Sequence, residues 1–183
     1  MASLLGHAVA AGAVGSLLIR EEDGWRPWLA TVLLANLPDL DVLAFPLGVP
    51  YAHDWGHRGA THSAVMAMVI AGLALGFLRP PIRARVRLGA CFLFAALSHG
   101  FLDMATSGGL GVALAWPFAS TRWFWPRRPI RVSPIGLRPF LSSRGLRVLA
   151  SEAVWIGAPS LLIAATAAVF RRASASRPAR ING

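Results

Sequence analysis

Five apolar stretches dominate this chain, and they limit its fold more than any other feature. They run from Leu4 to about Ile19, Trp28 to about Phe45, His62 to Leu78, Leu88 to about Met104, and Val148 to about Phe170. Hydrophobic residues make up 55% of the sequence and charged residues only 14%, against roughly 25% charged in a water-soluble domain. A surface facing water needs more charge than this, so the solvent of the long blocks is lipid. Backbone groups in lipid must satisfy one another, and apolar blocks of this length do so as helices. The expected fold is therefore all-α, a polytopic membrane bundle with about four or five spans. The first stretch is short against the roughly 20 residues of a full span, but its alanines and glycines suit close helix packing.

Residues 1–170 read as one membrane-embedded domain. Within it, 119–147 is an Arg-, Trp- and Pro-rich loop, expected at the membrane interface with Trp123 and Trp125 at headgroup depth. The Arg/Ser/Ala-rich segment 171–183 is expected to be a disordered basic tail. The net charge is +10, and every one of the 18 basic residues is arginine. In a soluble protein that balance suggests nucleic acid. Here the arginines flank apolar blocks, where they meet lipid phosphates and set topology, so no nucleic-acid partner is expected. The lone Cys91 excludes an internal disulfide and a thiolate-rich metal site.

Charge is costly in hydrocarbon, so ionisable residues within such segments usually have partners and a role. They fall into four islands: Gly6-His7, Asn36 to Asp41, His57 to Ser63, and Ser98 to Asp103. With five spans, the start of the first, the end of the second, the start of the third and the end of the fourth lie on one membrane side. The islands occupy those ends in that order, and Glu152 shares the side at the start of the last span. The expectation is a His/Asp cluster at one membrane face.

The residue types suit a divalent metal. His99 and Asp103 are four apart on a helix, so they project from one face and can share an ion. Asp39 and Asp41 lie in a turn where Pro38 is expected to push Leu37 out of helical geometry, and two carboxylates so close need a cation between them. Imidazole with carboxylate suits zinc, iron or manganese. One to three ions are envisaged, zinc foremost. Two of them about 3.5–4 Å apart can clamp a phosphoryl displacement, with Arg58 as a forked phosphate contact. Each residue also has a structural explanation when taken singly: His7 as a packing residue, His99 with Asp103 as a helix pair, Asp39 as a turn former, and Thr61 or Ser63 as a helix N-cap. His53 and Asp54 read as loop residues, and Glu152 as either a ligand or a snorkelling carboxylate. A serine nucleophile elbow, a His-Glu-x-x-His helix and a phosphate loop are all missing.

The strings GH at 6–7, LPDLD at 37–41, HRGATHS at 57–63, SHGFLDMAT at 98–106 and AWP at 115–117 resemble the YdjM-type family. Its members are described as multi-pass inner-membrane metal-dependent hydrolases, distantly similar to zinc-dependent phospholipases C and related nucleases. The resemblance implies His7, Asp39, His62, His99 and Asp103 as metal ligands. It implies Asp41 and His57 as further ligands or their supports, and Arg58 as a phosphate contact.

The leading expectation is thus a hydrolase of the inner (plasma) membrane, cleaving a phosphoester in a phospholipid, a lipid phosphate or another membrane-associated substrate. Metal-activated water is the attacking group, Asp39 or Asp41 its base, and Arg58 a stabiliser of phosphoryl charge. The alternatives are a metal or proton transporter, disfavoured by sites at span ends and by the lack of a repeat, and a structural protein without chemistry.

Overall fold

The apolar blocks form helices, as lipid requires of them. In the computed structural model, which describes residues 1–175, the helices are α1 (Leu4–Leu18), α2 (Arg26–Asn36), α3 (Ala64–Leu78), α4 (Ile82–Met104), α5 (Leu137–Phe140), α6 (Ser143–Glu152) and α7 (Ala158–Ala175). A 3₁₀ segment, Leu37–Leu47, continues α2, and a π-helical turn, Ala153–Gly157, joins α6 to α7. Among the described residues, three continuous helical runs are long and apolar enough to cross a membrane: Arg26–Leu47, Ile82–Met104 and Ser143–Ser174. Helices α1 and α3 are apolar but shorter, at 15 residues each. Among the described residues β structure is limited to two isolated bridges, Thr106 with Ile130 and Val112 with Trp123.

Local chemistry explains the helix ends. Ser3 caps α1 by accepting from the Gly6 amide, and Ser63 caps α3 by accepting from the Met66 amide, each satisfying a donor left free in the first turn. Pro38 removes a backbone donor and crowds the turn before it, and from Leu37 the chain winds more tightly. Leu37 itself keeps right-handed helical angles, φ −58° and ψ −39°, contrary to the extended geometry expected before proline. The proline tightens the helix where it was expected to break it.

Two further expectations need correcting. The last helical run begins at Ser143 rather than near Val148, and with α5 it turns the end of the 119–147 loop into helix. Residues 171–175, assigned from sequence to a disordered tail, are helical. Arg171 docks that end by donating to the Ser16 carbonyl on α1. The remainder of the expected tail, 176–183, lies outside the described residues.

Helices α1, α2 and α4 pack on one another, with α3 against α4 and α7 against α1. Ala11, Ala35 and Ala95 meet where α1, α2 and α4 are closest, because small side chains let backbones approach. Toward the other end, Ile19, Leu34, Leu88 and Phe92 form a larger apolar cluster. Outward faces carry exposed Leu17, Leu33, Leu73, Phe77, Phe94, Leu161 and Phe170, the pattern of a bundle solvated by lipid.

Beyond the α1–α2 connection, Arg87 of α4 grips Asp23 through both terminal nitrogens, at 2.6 and 2.9 Å. This guanidinium holds the Asp23 carboxyl below the usual carboxylate range. The pair therefore stabilises the fold fully above about pH 4 and loses its contribution as pH falls through the lowered pKa. Arg87→Met should cost about 1.5–3 kcal/mol, read as a lower thermal midpoint in detergent near neutral pH. The gap to the native protein should narrow in acid, and a gap independent of pH would discount the ion pair.

Candidate metal centre

The predicted islands converge at one end of the bundle. His7 comes from α1, Asp39 and Asp41 from the 3₁₀ segment, His57 and His62 from the α2–α3 connection, and His99 and Asp103 from the last two turns of α4. All seven side chains are buried, and His7, His99 and Asp103 are fully so. The span-end geometry inferred from sequence thus brings these residues together. His53 stays exposed in the loop, where its Nδ1 accepts from the Trp55 amide.

The innermost group is Asp39, His62, His99 and Asp103, each offering one atom within 4.8 Å of all the others. His62 Nε2 and His99 Nε2 are 2.9 Å apart. Asp39 Oδ1 is 3.4 Å from His99 Nε2 and 3.6 Å from His62 Nε2. Asp103 Oδ2 is 3.7 Å from His62 Nε2. Donors around one tetrahedral ion at about 2.0–2.2 Å would stand roughly 3.3–3.6 Å apart, which is close to this spacing. His7 flanks the group, stacked on the His99 ring with centroids 3.9 Å apart. Its Nε2 lies 3.5 Å from Asp103 Oδ1 and 3.9 Å from Asp39 Oδ2.

Hydrogen bonding at the outer nitrogens sets which atoms face inward. His99 Nδ1 lies 2.8 Å from the Ala35 carbonyl, which only accepts, so Nδ1 carries the proton and neutral His99 presents a lone pair at Nε2. His62 Nδ1 lies 2.9 Å from the Thr61 hydroxyl, whose own proton goes to Asp41 Oδ2, so the hydroxyl oxygen accepts from Nδ1, with the same consequence for Nε2. Two imine lone pairs then confront each other beside Asp39, neither of whose carboxylate oxygens has a hydrogen bond among the described residues. Such a buried arrangement is unfavourable unless a proton or a cation lies between the groups. Burial opposes a charge on His62, but Asp39, Asp41 and Asp103 outweigh it and lift its pKa to about 9. The pocket draws in positive charge, and its donor set fits a divalent ion.

Asp41 is placed differently from Asp39. Its Oδ1 is 2.7 Å from His57 Nδ1, and its Oδ2 accepts from the Thr61 hydroxyl at 2.7 Å and the Arg58 amide at 3.3 Å. Both oxygens are thus engaged in orienting neighbours, as carboxylates behind metal-binding histidines commonly are. Among the described residues, His57 keeps a buried Nε2 without a partner, and burial lowers its pKa despite the adjacent Asp41. Asp41, His57 and His62 also form a second close set that could hold an ion.

Arg58 is fully buried. Its Nε pairs with Asp103 Oδ2 at 3.0 Å, Nη1 donates to the Gly108 carbonyl, and Nη2 donates to the Thr106 hydroxyl, both at 2.8 Å. It bridges α4 to the 106–108 segment, so the fork expected for a phosphate is engaged within the protein. The backbone explains the HRG string. Arg58 adopts φ +66°, a left-handed conformation seldom found at a non-glycine residue. A Cβ on Gly59 would stand 2.0 Å from the Asp54 carbonyl oxygen, so only glycine fits there.

Some contributors were not legible from spacing. Thr61 was a candidate helix cap and instead donates to Asp41. Thr106 lay in a recognisable string but carried no expectation. Glu152 is neither ligand nor snorkelling carboxylate: it accepts from the Ser3 amide and hydroxyl, both at 2.5 Å. Gly6 lets this happen, since a Cβ there would lie 3.0 Å from the Glu152 carboxyl carbon. One residue before Ser3, the Ala2 amide donates to Asp103 Oδ1 at 2.6 Å. Glu152 thereby anchors the strand that leads into His7.

Comparison with known proteins places the chain among inner membrane proteins. The chain is 38% identical to the inner membrane protein YbcI of Escherichia coli K12 over 166 residues, covering 89% of this chain and 95% of the relative. It is 35% identical over 130 residues to the inner membrane protein YdjM of the same organism, covering 65% of this chain and 61% of that protein, and to YdjM of Shigella flexneri to the same extent. No solved structure matches it. The family model described as YdjM inner membrane protein matches residues 1–175, nearly the whole chain. With its membrane-length helices and its buried His/Asp cluster, this chain belongs to the YdjM family of inner membrane proteins.

Proposed function

We propose that this protein is a membrane-bound metal-dependent hydrolase that cleaves a phosphoester in a lipid or another membrane-associated substrate. The observation that carries the reading is the convergence of His62 Nε2, His99 Nε2 and unbonded Asp39 on one buried point. His62, His99, Asp39 and Asp103 would hold the ion, with His7 beside them. A divalent ion, zinc by preference for this imidazole and carboxylate set, supplies Lewis acidity and lowers the pKa of a coordinated water.

The remaining work falls to the chain itself. His57 is the better candidate for the base, because Asp41 and Asp39, favoured from sequence, are committed elsewhere. Asp41 fixes the proton of His57 on Nδ1, leaving Nε2 as the open nitrogen to accept a proton. Arg58 has a positioning part: it holds Asp103 against the 106–108 segment, so it sets the ligand's orientation rather than meeting the substrate.

Purified full-length protein should retain stoichiometric divalent metal, measured by elemental mass spectrometry, and His62→Ala and Asp103→Ala should each lose it. Chelation should abolish hydrolysis of bis-(p-nitrophenyl) phosphate or of a short-chain phosphatidic acid, and restoring metal should return it. Metal-free protein with undiminished turnover would overturn the reading. Asp41→Asn should weaken metal affinity by about 10–100-fold in calorimetric titration while leaving the stoichiometry unchanged.

His57→Gln separates base from ligand. A base predicts a kcat lower by about 10²–10⁴-fold at unchanged metal content. Loss of an ion in this variant would assign His57 to the metal instead.

A further inference from the structure

The eight acidic residues of the chain leave one face without counter-charge. Glu21, Glu22 and Asp23 lie in the α1–α2 connection, while Asp39, Asp41, Asp103 and Glu152 belong to the buried cluster or its support. Asp54 is held by the Ser120 hydroxyl. None remains for the arginines between Trp125 and Glu152. Three of these, Arg131, Arg144 and Arg147, line one cavity of about 220 Å³ with Ser107, Val132 and Val148. All three are exposed, and none forms an ion pair among the described residues. The backbone beneath is ordered by other bonds: the Arg131 amide donates to the Ser151 hydroxyl and the Val132 amide to the Ser107 hydroxyl.

The same segment also exposes large apolar side chains. Leu137, Leu141 and Leu146 are 73%, 75% and 69% exposed, around α5 and the start of α6. Large exposed leucines beside unpaired arginines match an element lying in the lipid interface, with apolar residues among acyl chains and guanidinium groups at the phosphates. Guanidinium is also the side chain best shaped to grip phosphate by paired hydrogen bonds. The place in the fold supports this, because Ser107 follows Thr106, the hydroxyl that receives Arg58.

We propose that Arg131, Arg144 and Arg147 form a binding site for the phosphate of an anionic phospholipid, whose acyl chains lie along Leu137, Leu141 and Leu146. The site stands whether or not the protein is a hydrolase. It commits to lipid over free phosphate because the exposed Leu137, Leu141 and Leu146 belong to the same 131–147 segment as the three arginines.

The test uses the full chain in neutral detergent, with dioleoyl phosphatidylglycerol and dioleoyl phosphatidylcholine supplied at equal concentration and bound lipid read by native mass spectrometry. Each interfacial arginine is worth roughly fivefold in attraction to anionic lipid, so phosphatidylglycerol should be retained at least about tenfold over phosphatidylcholine. Simultaneous Arg131→Ala, Arg144→Ala and Arg147→Ala should remove that preference, while the triple lysine variant should keep most of it, which separates loss of charge from loss of fold. The pair Arg127→Ala and Arg128→Ala should leave the preference unchanged.

Equal retention of the two lipids by the native chain, or a full preference surviving in the triple alanine variant, would overturn the proposal. So would an equal loss in the Arg127 and Arg128 control, which would mean diffuse charge without a site. Inorganic phosphate displacing phosphatidylglycerol at matched concentration would overturn the lipid assignment.

Discussion

Two imidazole nitrogens facing each other at 2.9 Å inside an apolar bundle form the contact on which the rest of this structure depends. Their outer nitrogens are committed, His99 to the Ala35 carbonyl and His62 to the Thr61 hydroxyl, so the inner ones meet as lone pairs beside carboxylates. Burying that arrangement is costly unless positive charge lies among the groups. A proton on His62 answers part of the demand, in keeping with its raised pKa. A divalent cation answers it more completely, since one ion can neutralise several donors at once. Stability and metal affinity would therefore be coupled here: what makes the cluster costly to bury is also what suits it to a cation.

The fold serves this cluster by bringing helix ends together. Alanines at 11, 35 and 95 let α1, α2 and α4 approach closely, which places His7 on His99 and the Ala35 carbonyl at His99 Nδ1. The 3₁₀ winding after Pro38 directs Asp39 inward to the imidazoles and Asp41 toward His57 and Thr61. Outside this layer, Glu152 ties the chain before α1 to the last helical run, and Arg122 donates to the carbonyls of His57 and His53, holding the α2–α3 connection over the site. The π-helical turn directly after Glu152 lies beside the candidate metal centre, and such turns are frequent near functional sites.

Much of this was legible in the sequence, and the remainder was hidden for physical reasons. Membrane residence follows from apolar blocks with little charge, and the grouping of His7, Asp39, His62, His99 and Asp103 follows from helix ends on one face. Spacing along the chain cannot tell a ligand from its support, so Asp41 could not be separated from Asp39 before its oxygens were seen occupied by His57, Thr61 and the Arg58 amide. Arg58 misled because an arginine beside histidines suggests phosphate, whereas its left-handed backbone turns the side chain back onto Asp103. Thr106 and Ser3 carry no periodic or charge signal, and only tertiary contact reveals them. The start of the last helix was missed because the arginines at 144 and 147 hide an interfacial turn from a reading based on apolar length.

X-ray absorption at the zinc edge of the purified, zinc-loaded protein tests the central claim most directly. The account predicts a shell of nitrogen and oxygen donors at about 2.0–2.2 Å, with the outer scattering of at least two imidazole rings, and the loss of one ring's contribution in His99→Ala. An oxygen-only shell without imidazole scattering, or a spectrum unchanged in that variant, would contradict it.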